Sequence, residues 1–325
     1  MGRTNSVNHN LLLYNEKTFR DVVAQSYFMD RMTDGSGIIR VSDATEGSTE
    51  DFAMVQHING DWQQGNETMH GKEYTMQDFT LTVTPEFYRI GVLIGPKVKY
   101  QSVWDVPAET RDKLVEAAGR FIDDLVFAAL ATPTPTKQFF AGAATSKATL
   151  TTSTLLTPGD LSLARAWAMT GGNESQPIFT PARINGKDYF VYLCHTDVGE
   201  YDLVENTTWT GAATNAMNRS DDHVLFKGAN FITWNGTVVH SHPKVPIFTN
   251  GGSGADVPGQ SGYFFGKGAI SWRWVIHPTI KIREVDSDFQ QLSIRFYGGA
   301  AKTKFNSLDY ATAEIMTART QIADA

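Results

Sequence analysis

Alternation of hydrophobic and polar positions is clearest in the stretch "FTLTVTPEFYRIGVLI". Before Pro85 apolar residues alternate with threonines, and after it every second position from Tyr88 to Ile94 is apolar. A period of two is typical of strands with one buried face, so we predict two successive strands here. Apolar runs predict further strands at 189–193, around Val238 and Val239, at 280–285 and at 290–297.

A helical spacing of apolar residues marks residues 105–131. Asp105 is a candidate N-cap, Pro107 suits the first turn, and "TPTPT" ends the pattern. A helix of about 25 residues spans roughly 37 Å. The predicted buried stripe consists of Leu114, Ala118, Phe121 and Leu125. A shorter helix is predicted at 160–170, ending at Gly171.

Two regions at the start of the chain lack the means to pack alone. Residues 1–35 predict a short helix preceded by an extended tail, which needs support from elsewhere. Residues 36–78 are polar and rich in glycine, with brief strand-like pieces, so we predict a long two-stranded excursion that lies on a neighbour. The irregular order of helices and strands predicts an α+β fold without repeats.

Composition excludes some classes of protein. Hydrophobic residues make up 41% of the 325 positions, enough for a substantial core. The net charge of −7 argues against an electrostatic grip on nucleic acid. The single cysteine, Cys194, rules out a disulfide within the chain and is expected to be buried and structural. The first residues predict neither a signal peptide nor a membrane span.

Two histidines form the best candidate for a metal site. His240 and His242 follow an apolar run in "NGTVVHSHPKVP", and residues two apart on a strand share a face. A catalytic zinc needs a third ligand, here His223, His195 or a distant acid, and no HExxH pattern accompanies the pair. The alternative is that both histidines are ordinary residues at the end of a strand.

Other candidate chemistry is weaker. Trp272 and Trp274 share one side of a predicted strand and form either a glycan-stacking platform or part of a core or subunit contact. Asp123 and Asp124 lie on the long helix, where we expect a solvated face. Sequence motifs for phosphate-binding loops and for a serine nucleophile are missing.

Four stretches, in order, resemble the major capsid proteins of tailed bacteriophages, the Hong Kong ninety-seven-type fold, and within them the group of phage N4. The stretches are "GNETMHGKEYTMQDFTLTVTPEFYRIGVLI", "RDKLVEAAGRFIDDLVFAALA", "GKDYFVYLCHTDVGEYDL", and "HVLFKGANFITWNGTVVHSHPKVP" followed by "GYFFGKGAISWRW". The resemblance covers roughly residues 15–320.

This resemblance implies a division of the chain into parts with mechanical roles. The implied parts are an N-terminal arm at 1–35, an extended loop at 36–78, a peripheral domain at 79–136 with a spine helix at 105–131, an axial domain at 137–265, and returning strands of the peripheral domain with a C-terminal tail at 266–325. It implies a non-enzymatic protein without metal or cofactor that self-assembles as hexamers and pentamers into the icosahedral shell around a double-stranded DNA genome.

The resemblance also implies partners. These are other copies of the chain, a portal protein, a separate scaffolding protein and a decoration protein, with assembly in the host cytoplasm and a final place in the virion. DNA is enclosed without sequence-specific binding, and no membrane is involved. Lys72 lies in the loop where some members of the fold crosslink, but no crosslink is predicted. The alternatives are an encapsulin-type compartment shell and a metal-dependent hydrolase using His240 and His242.

Overall fold

The computed structural model describes residues 4–33, 36–43, 50–55, 78–96, 98, 102, 105–171, 178–184, 186–215, 229–286, 289–305 and 307–321. The helices are α1 (Thr4–Gln25), α2 (Tyr27–Arg31), α3 (Val106–Ala131), α4 (Pro158–Thr170), α5 (Leu203–Glu205) and α6 (Thr207–Asn215), with a single 3₁₀ turn at Lys147–Thr149 and a π-helical turn at Val198–Asp202. None of the helices among these residues is long and apolar enough to cross a membrane.

The strands form two principal sheets. They are β1 (Ile39–Ser42), β2 (Glu50–Val55), β3 (Asp78–Val83), β4 (Glu86–Ile94), β5 (Gln138–Phe140), β6 (Ala182–Ile184), β7 (Lys187–Cys194), β8 (Ala229–Trp234), β9 (Thr237–Ser241), β10 (Ile247–Gly251), β11 (Val257–Phe265), β12 (Ile270–Asp286), β13 (Phe289–Lys302), β14 (Lys304–Phe305), β15 (Leu308–Asp309) and β16 (Thr312–Ala318). The larger sheet has the order β5-β16-β11-β7-β9-β8, and the smaller has the order β1-β12-β13-β4.

Helix α3 forms as its sequence predicts. The Asp105 side chain accepts a hydrogen bond from the Ala108 N–H, and the helix ends at Ala131, with Thr132 as the C-cap directly before Pro133. The buried face is rotated from the predicted stripe, because Phe121 is 38% exposed. The buried residues are Leu114, Val115, Ala118, Gly119, Ile122, Asp123, Val126, Phe127 and Leu130.

The N-terminal segment differs from its prediction. Helix α1 already begins at Thr4, so the predicted extended tail was wrong. Val22, Phe28 and Met32 are fully buried in the chain's own core. This part of the segment is therefore held by its own subunit, chiefly by packing of α1 on α3 and β12.

Strands β7 and β9 of the larger sheet are parallel and buried on both faces. Every residue from Phe190 to Cys194 is at most 1% exposed, as is every residue from Thr237 to His240. Continuous burial of this kind is typical of strands at the centre of a layered domain. The hairpin into β9 turns at Asn235 and Gly236, whose positive φ values of 45° and 71° suit the two-residue turn that an Asn-Gly pair favours.

The smaller sheet carries α3 on one face. β12 and β13 are long antiparallel partners, and β4 pairs with the far side of β13. Phe121 of α3 lies over Tyr88 of β4 and Phe296 of β13, with ring centroids 5.0 and 6.2 Å away. This contact identifies the side of the sheet that faces the helix.

Two strand pairings cross the predicted boundaries between parts of the chain. Strand β1, which falls in the predicted loop 36–78, pairs in parallel with β12, and Ile38 and Ile39 are buried. Strand β16, which falls in the segment 266–325 predicted to return to the peripheral domain, pairs with β11 and β5 of the larger sheet. Both pairings join distant segments, which local sequence patterns do not encode. Among the described residues, β2 and β3 pair only with each other.

Candidate functional site

The histidine pair lies where three segments of the chain meet. The rings of His240 and His242 both face Tyr27 of α2, with centroids 5.8 and 4.9 Å away. The prediction that the two side chains share a face is confirmed. Their common neighbour is an aromatic ring, and the His242 ring also packs on Phe127 of α3 at 5.3 Å.

His242 is held in its neutral form. Its Nδ1 accepts a hydrogen bond from the Lys244 N–H at 3.1 Å. Burial lowers the pKa of His242 to about 4, and the nearby charge of Lys244 acts in the same direction. At neutral pH this imidazole is therefore an uncharged packing group between α2 and α3.

The structure does not assemble the candidate metal site from the residues that it describes. Among the residues that the structure describes, no group of three or more His, Cys, Asp or Glu side chains is arranged to hold a metal ion. His223, one proposed third ligand, lies outside the described residues. His195 uses its Nδ1 to accept a hydrogen bond from the Asp197 N–H, and burial lowers its pKa.

Asp123 forms the centre of the joint between α2 and α3. Its carboxylate accepts hydrogen bonds from Ser26 Oγ at 2.7 Å, the Tyr27 N–H at 3.0 Å and the Phe28 N–H at 3.2 Å. These donors include the free N–H groups at the start of α2. Burial raises the pKa of Asp123, and the three donors oppose that rise.

Close approach of the chain to α3 depends on Gly119. A Cβ added at Gly119 would lie 2.7 Å from the Cβ of Gln25 and 2.9 Å from its carbonyl carbon. Gly119 and Asp123 are one helical turn apart and therefore lie on the same face of α3. Gly119 leaves space for the chain at Gln25 and Ser26, and Asp123 accepts the hydrogen bond from Ser26.

Asp124 ties α3 to the loop after β9. Lys244 Nζ lies 2.6 Å from Asp124 Oδ1 and also donates to the Arg120 carbonyl at 3.0 Å. The expectation of a solvated acidic face is right for Asp124, which is 54% exposed, and wrong for Asp123, which is 4% exposed. The sequence signal that could have shown the burial of Asp123 is its position one turn beyond Gly119, on the buried side of the helix.

The other candidate residues are packing groups or lie outside the described chain. Trp272 and Trp274 are 0% and 2% exposed, so neither ring is free to stack on a glycan. The Cys194 thiol is buried, donates to the His240 carbonyl, and has its pKa raised by burial. Lys72 is not among the described residues.

The smaller sheet leaves apolar positions open beside α3. Leu292 and Ile294 on the central strand β13 are 1% exposed. Their partners in the adjacent strands, Val92, Ile90 and Ile282, are 42%, 52% and 56% exposed. Both flanks are therefore open in the row of Leu292, whereas only the β4 flank is open in the row of Ile294, because Ile280 on β12 is 4% exposed. Exposed apolar surface of this kind is typical of a contact site for another protein.

Comparison with known proteins identifies the class. A family model described as phage capsid protein matches residues 123–318, which is more than half of the chain. The chain therefore belongs to the phage capsid protein family. No curated protein sequence matches it.

Phage capsids are among the solved structures with the same architecture. The capsid of Ralstonia phage GP4 has a TM-score of 0.81 and 22% identity, over 92% of this chain and 93% of that chain. The capsid asymmetric unit of cyanophage Pam1 has a TM-score of 0.71 and 16% identity, over 84% and 85%. The capsid of Helicobacter pylori bacteriophage KHP30 has a TM-score of 0.69 and 12% identity, over 88% of both.

Fold and family together define the protein. The predicted Hong Kong ninety-seven-type α+β fold is confirmed. The chain is a phage capsid protein, a structural protein of the virion whose copies form the shell. The encapsulin and metal-dependent hydrolase alternatives are not favoured by these matches.

Proposed function

We propose that the protein assembles as hexamers and pentamers into an icosahedral shell that encloses a double-stranded DNA genome. The observation that carries this proposal is the uncovered apolar surface of β4. Eight of the nine residues of this edge strand are at least partly exposed, including Phe87, Ile90, Val92 and Leu93. Long apolar edge strands promote association between chains, and a shell protein has copies of itself to cover them.

The parts of the chain would divide the mechanical work. We assign 1–35 to the arm, 36–78 to the extended loop, 79–136 to the peripheral domain with spine helix 105–131, 137–265 to the axial domain and 266–325 to the returning strands. The pairing of β1 with β12 supports moving residues 39–42 into the peripheral domain. The pairing of β16 with β11 supports moving residues 312–318 into the axial domain.

Further parts of the proposal concern partners and chemistry. A portal protein, a separate scaffolding protein and a decoration protein would join the shell, and assembly would take place in the host cytoplasm. The protein would catalyse no reaction and need no cofactor. The net charge of −7 supports enclosure of DNA without sequence-specific binding.

Electron microscopy of the purified protein tests the proposal. We expect rings, capsomers or roughly spherical shells, together with a fast-sedimenting fraction in the ultracentrifuge. A protein that remains a compact monomer at high concentration would contradict it. Cryo-electron microscopy of any shells would give their symmetry and show which residues occupy the five-fold and six-fold positions.

A further inference from the structure

In the part of the chain that the structure describes, the backbone passes between the two principal sheets at three places that lie together. Residues 132–137 lead from α3 to β5, residues 266–269 from β11 to β12, and residues 303–311 from β13 to β16. The Thr303 N–H donates to the Ala269 carbonyl at 3.0 Å, and the Gly266 N–H donates to the Ala311 carbonyl at 2.8 Å. We call these three passages the junction.

A buried ion pair lies in the junction. Lys302 Nζ is 2.9 Å from Asp309 Oδ2, and the two side chains are 1% and 0% exposed. Lys302 Nζ also donates to the Pro133 carbonyl at 2.7 Å. Asp309 Oδ2 accepts from the Thr136 N–H at 2.7 Å, and the Asp309 N–H donates to Thr136 Oγ1 at 3.0 Å. The pair therefore ties the end of β13 to the chain that leaves α3.

The position of the pair restricts how the two sheets are oriented. On one side of the junction, α3 and β13 pack together through Phe121 and Phe296. On the other side, β5 and β16 are parallel neighbours, with Gln138 beside Glu314. The ion pair and its hydrogen bonds lie where each of these two pairs of elements meets the junction. Rotation of one sheet against the other would therefore break them.

Stability alone does not account for a buried ion pair. Removing two charges from water costs much of what their attraction returns, so apolar side chains of similar size often stabilise a fold as well. The cost is visible at Lys302, because burial lowers its pKa while Asp309 opposes that shift. What the ion pair adds to apolar packing is direction, since its hydrogen bonds require partners at defined positions.

A second charged contact across the same two parts of the molecule is much more exposed. Lys244, in the loop after β9, pairs with Asp124 of α3, and their side chains are 33% and 54% exposed. Exposed ion pairs contribute little, because water competes for both charges. This contact provides a matched control for the buried pair.

We propose that Lys302 and Asp309 fix the angle between the two sheets, so that the free subunit has one shape before it meets another copy. This inference goes beyond the proposed function, because it concerns the isolated subunit. Its consequence for assembly rests on that function. Subunits with a narrow range of angles should form shells with a narrow range of sizes, and subunits with variable angles should form a mixture.

Distance measurements in the free subunit test the proposal. Lys187→Cys in the larger sheet and Arg283→Cys in the smaller sheet provide two exposed sites for nitroxide labels, while the native Cys194 is buried. Double electron–electron resonance, recorded below the assembling concentration, measures the distribution of distances between the labels. We expect a single narrow peak for the otherwise unchanged protein.

Removal of both charges should broaden this peak. Lys302→Met with Asp309→Asn keeps an amide oxygen as the acceptor for the Thr136 N–H. The circular dichroism of this variant should stay unchanged, and its distance distribution should widen. Lys244→Met with Asp124→Asn is the control with the same charge removal and should keep the narrow peak. If the first variant does not fold, Asp309→Asn alone removes one charge and should also widen the distribution.

The outcomes separate this inference from the shell proposal. A narrow peak in the folded variant of the Lys302–Asp309 pair overturns the inference, and so does a broad peak in the protein that carries only the labels. Equal broadening in the Lys244, Asp124 control overturns it as well, because any contact between the sheets would then set the angle. Electron microscopy tests the consequence. Shell diameters as uniform as in the wild type overturn the link to shell size, whereas a wild-type protein that never assembles contradicts the shell proposal and leaves the distance measurement valid.

Discussion

The two sheets of this protein contain similar apolar strands but use them differently. In the larger sheet, β7 and β9 are buried on both faces, with Val191 and Val239 completely inaccessible. In the smaller sheet, β4 has the clearest apolar alternation of the chain, yet only Ile94 is buried. The pattern of a strand therefore shows that a face will be covered, without showing whether the same chain or another copy covers it.

The two sheets therefore differ in how completely the chain covers their apolar faces. The larger sheet closes its core with the chain's own strands, including β16 near the C-terminus. The smaller sheet has α3 on one face, with open apolar positions beside the helix. Substitutions in the larger sheet should act on folding, and substitutions in β4 should act on assembly.

A matched pair of phenylalanines gives the largest expected effect. Phe264 is fully buried in β11 and stacks on Phe190 at 5.2 Å. Phe264→Ala should lower the free energy of unfolding by about 3–5 kcal/mol, because it removes a packed ring and leaves a cavity. Phe87→Ala, in exposed β4, should cost less than about 1 kcal/mol in the subunit but reduce assembly.

Urea denaturation below the assembling concentration measures both stabilities, and sedimentation measures the assembled fraction. Equal losses of unfolding free energy for the two variants would remove the distinction between the sheets. Unimpaired assembly of Phe87→Ala would show that this end of β4 is not a subunit contact.

The joint between the N-terminal segment and α3 provides a second matched pair. Asp123→Ala removes the acceptor for Ser26, Tyr27 and Phe28 and should cost about 3 kcal/mol, since buried donors lose their partner. Asp124→Ala breaks only an exposed ion pair with Lys244 and should cost less than about 1 kcal/mol. Urea denaturation and proteolysis near Gln25 measure the two effects. Similar costs would show that the buried carboxylate does not organise the joint.

Local signals in the sequence were sufficient for much of the fold. The N-cap Asp105 and the proline run fixed the limits of α3, and the Asn235–Gly236 pair fixed the turn into β9. Local signals were insufficient where packing between distant segments determines the structure. The buried role of Asp123 depends on the arrival of Ser26 from another part of the chain, and the place of β16 depends on its pairing with β11.

Helix α6 and the pairing of Arg89 with Arg295 escaped prediction for different physical reasons. The sequence "TTWTGAATN" is rich in threonine, glycine and asparagine, which are poor helix formers, and burial of Trp209 overrides that preference. Arg89 and Arg295 are far apart in sequence, and only the strand register makes them neighbours. The candidate metal site failed for the opposite reason. The local spacing of His240 and His242 suggested a metal site, but both side chains face the ring of Tyr27.

The smallest expected effect concerns the acid stability of the joint. The pKa of His242 is lowered to about 4 by burial, against about 6.5 in an unfolded chain. The unfolded state therefore binds the proton first, and stability due to His242 is lost as the pH falls from 6.5 to 4. His242→Gln should reduce the fall in unfolding free energy between pH 7 and pH 4 by about 1–2 kcal/mol. Partial burial of the ring keeps this effect small. Urea denaturation at pH 7 and pH 4 measures it, and an identical pH dependence in both proteins would show that His242 does not control the joint.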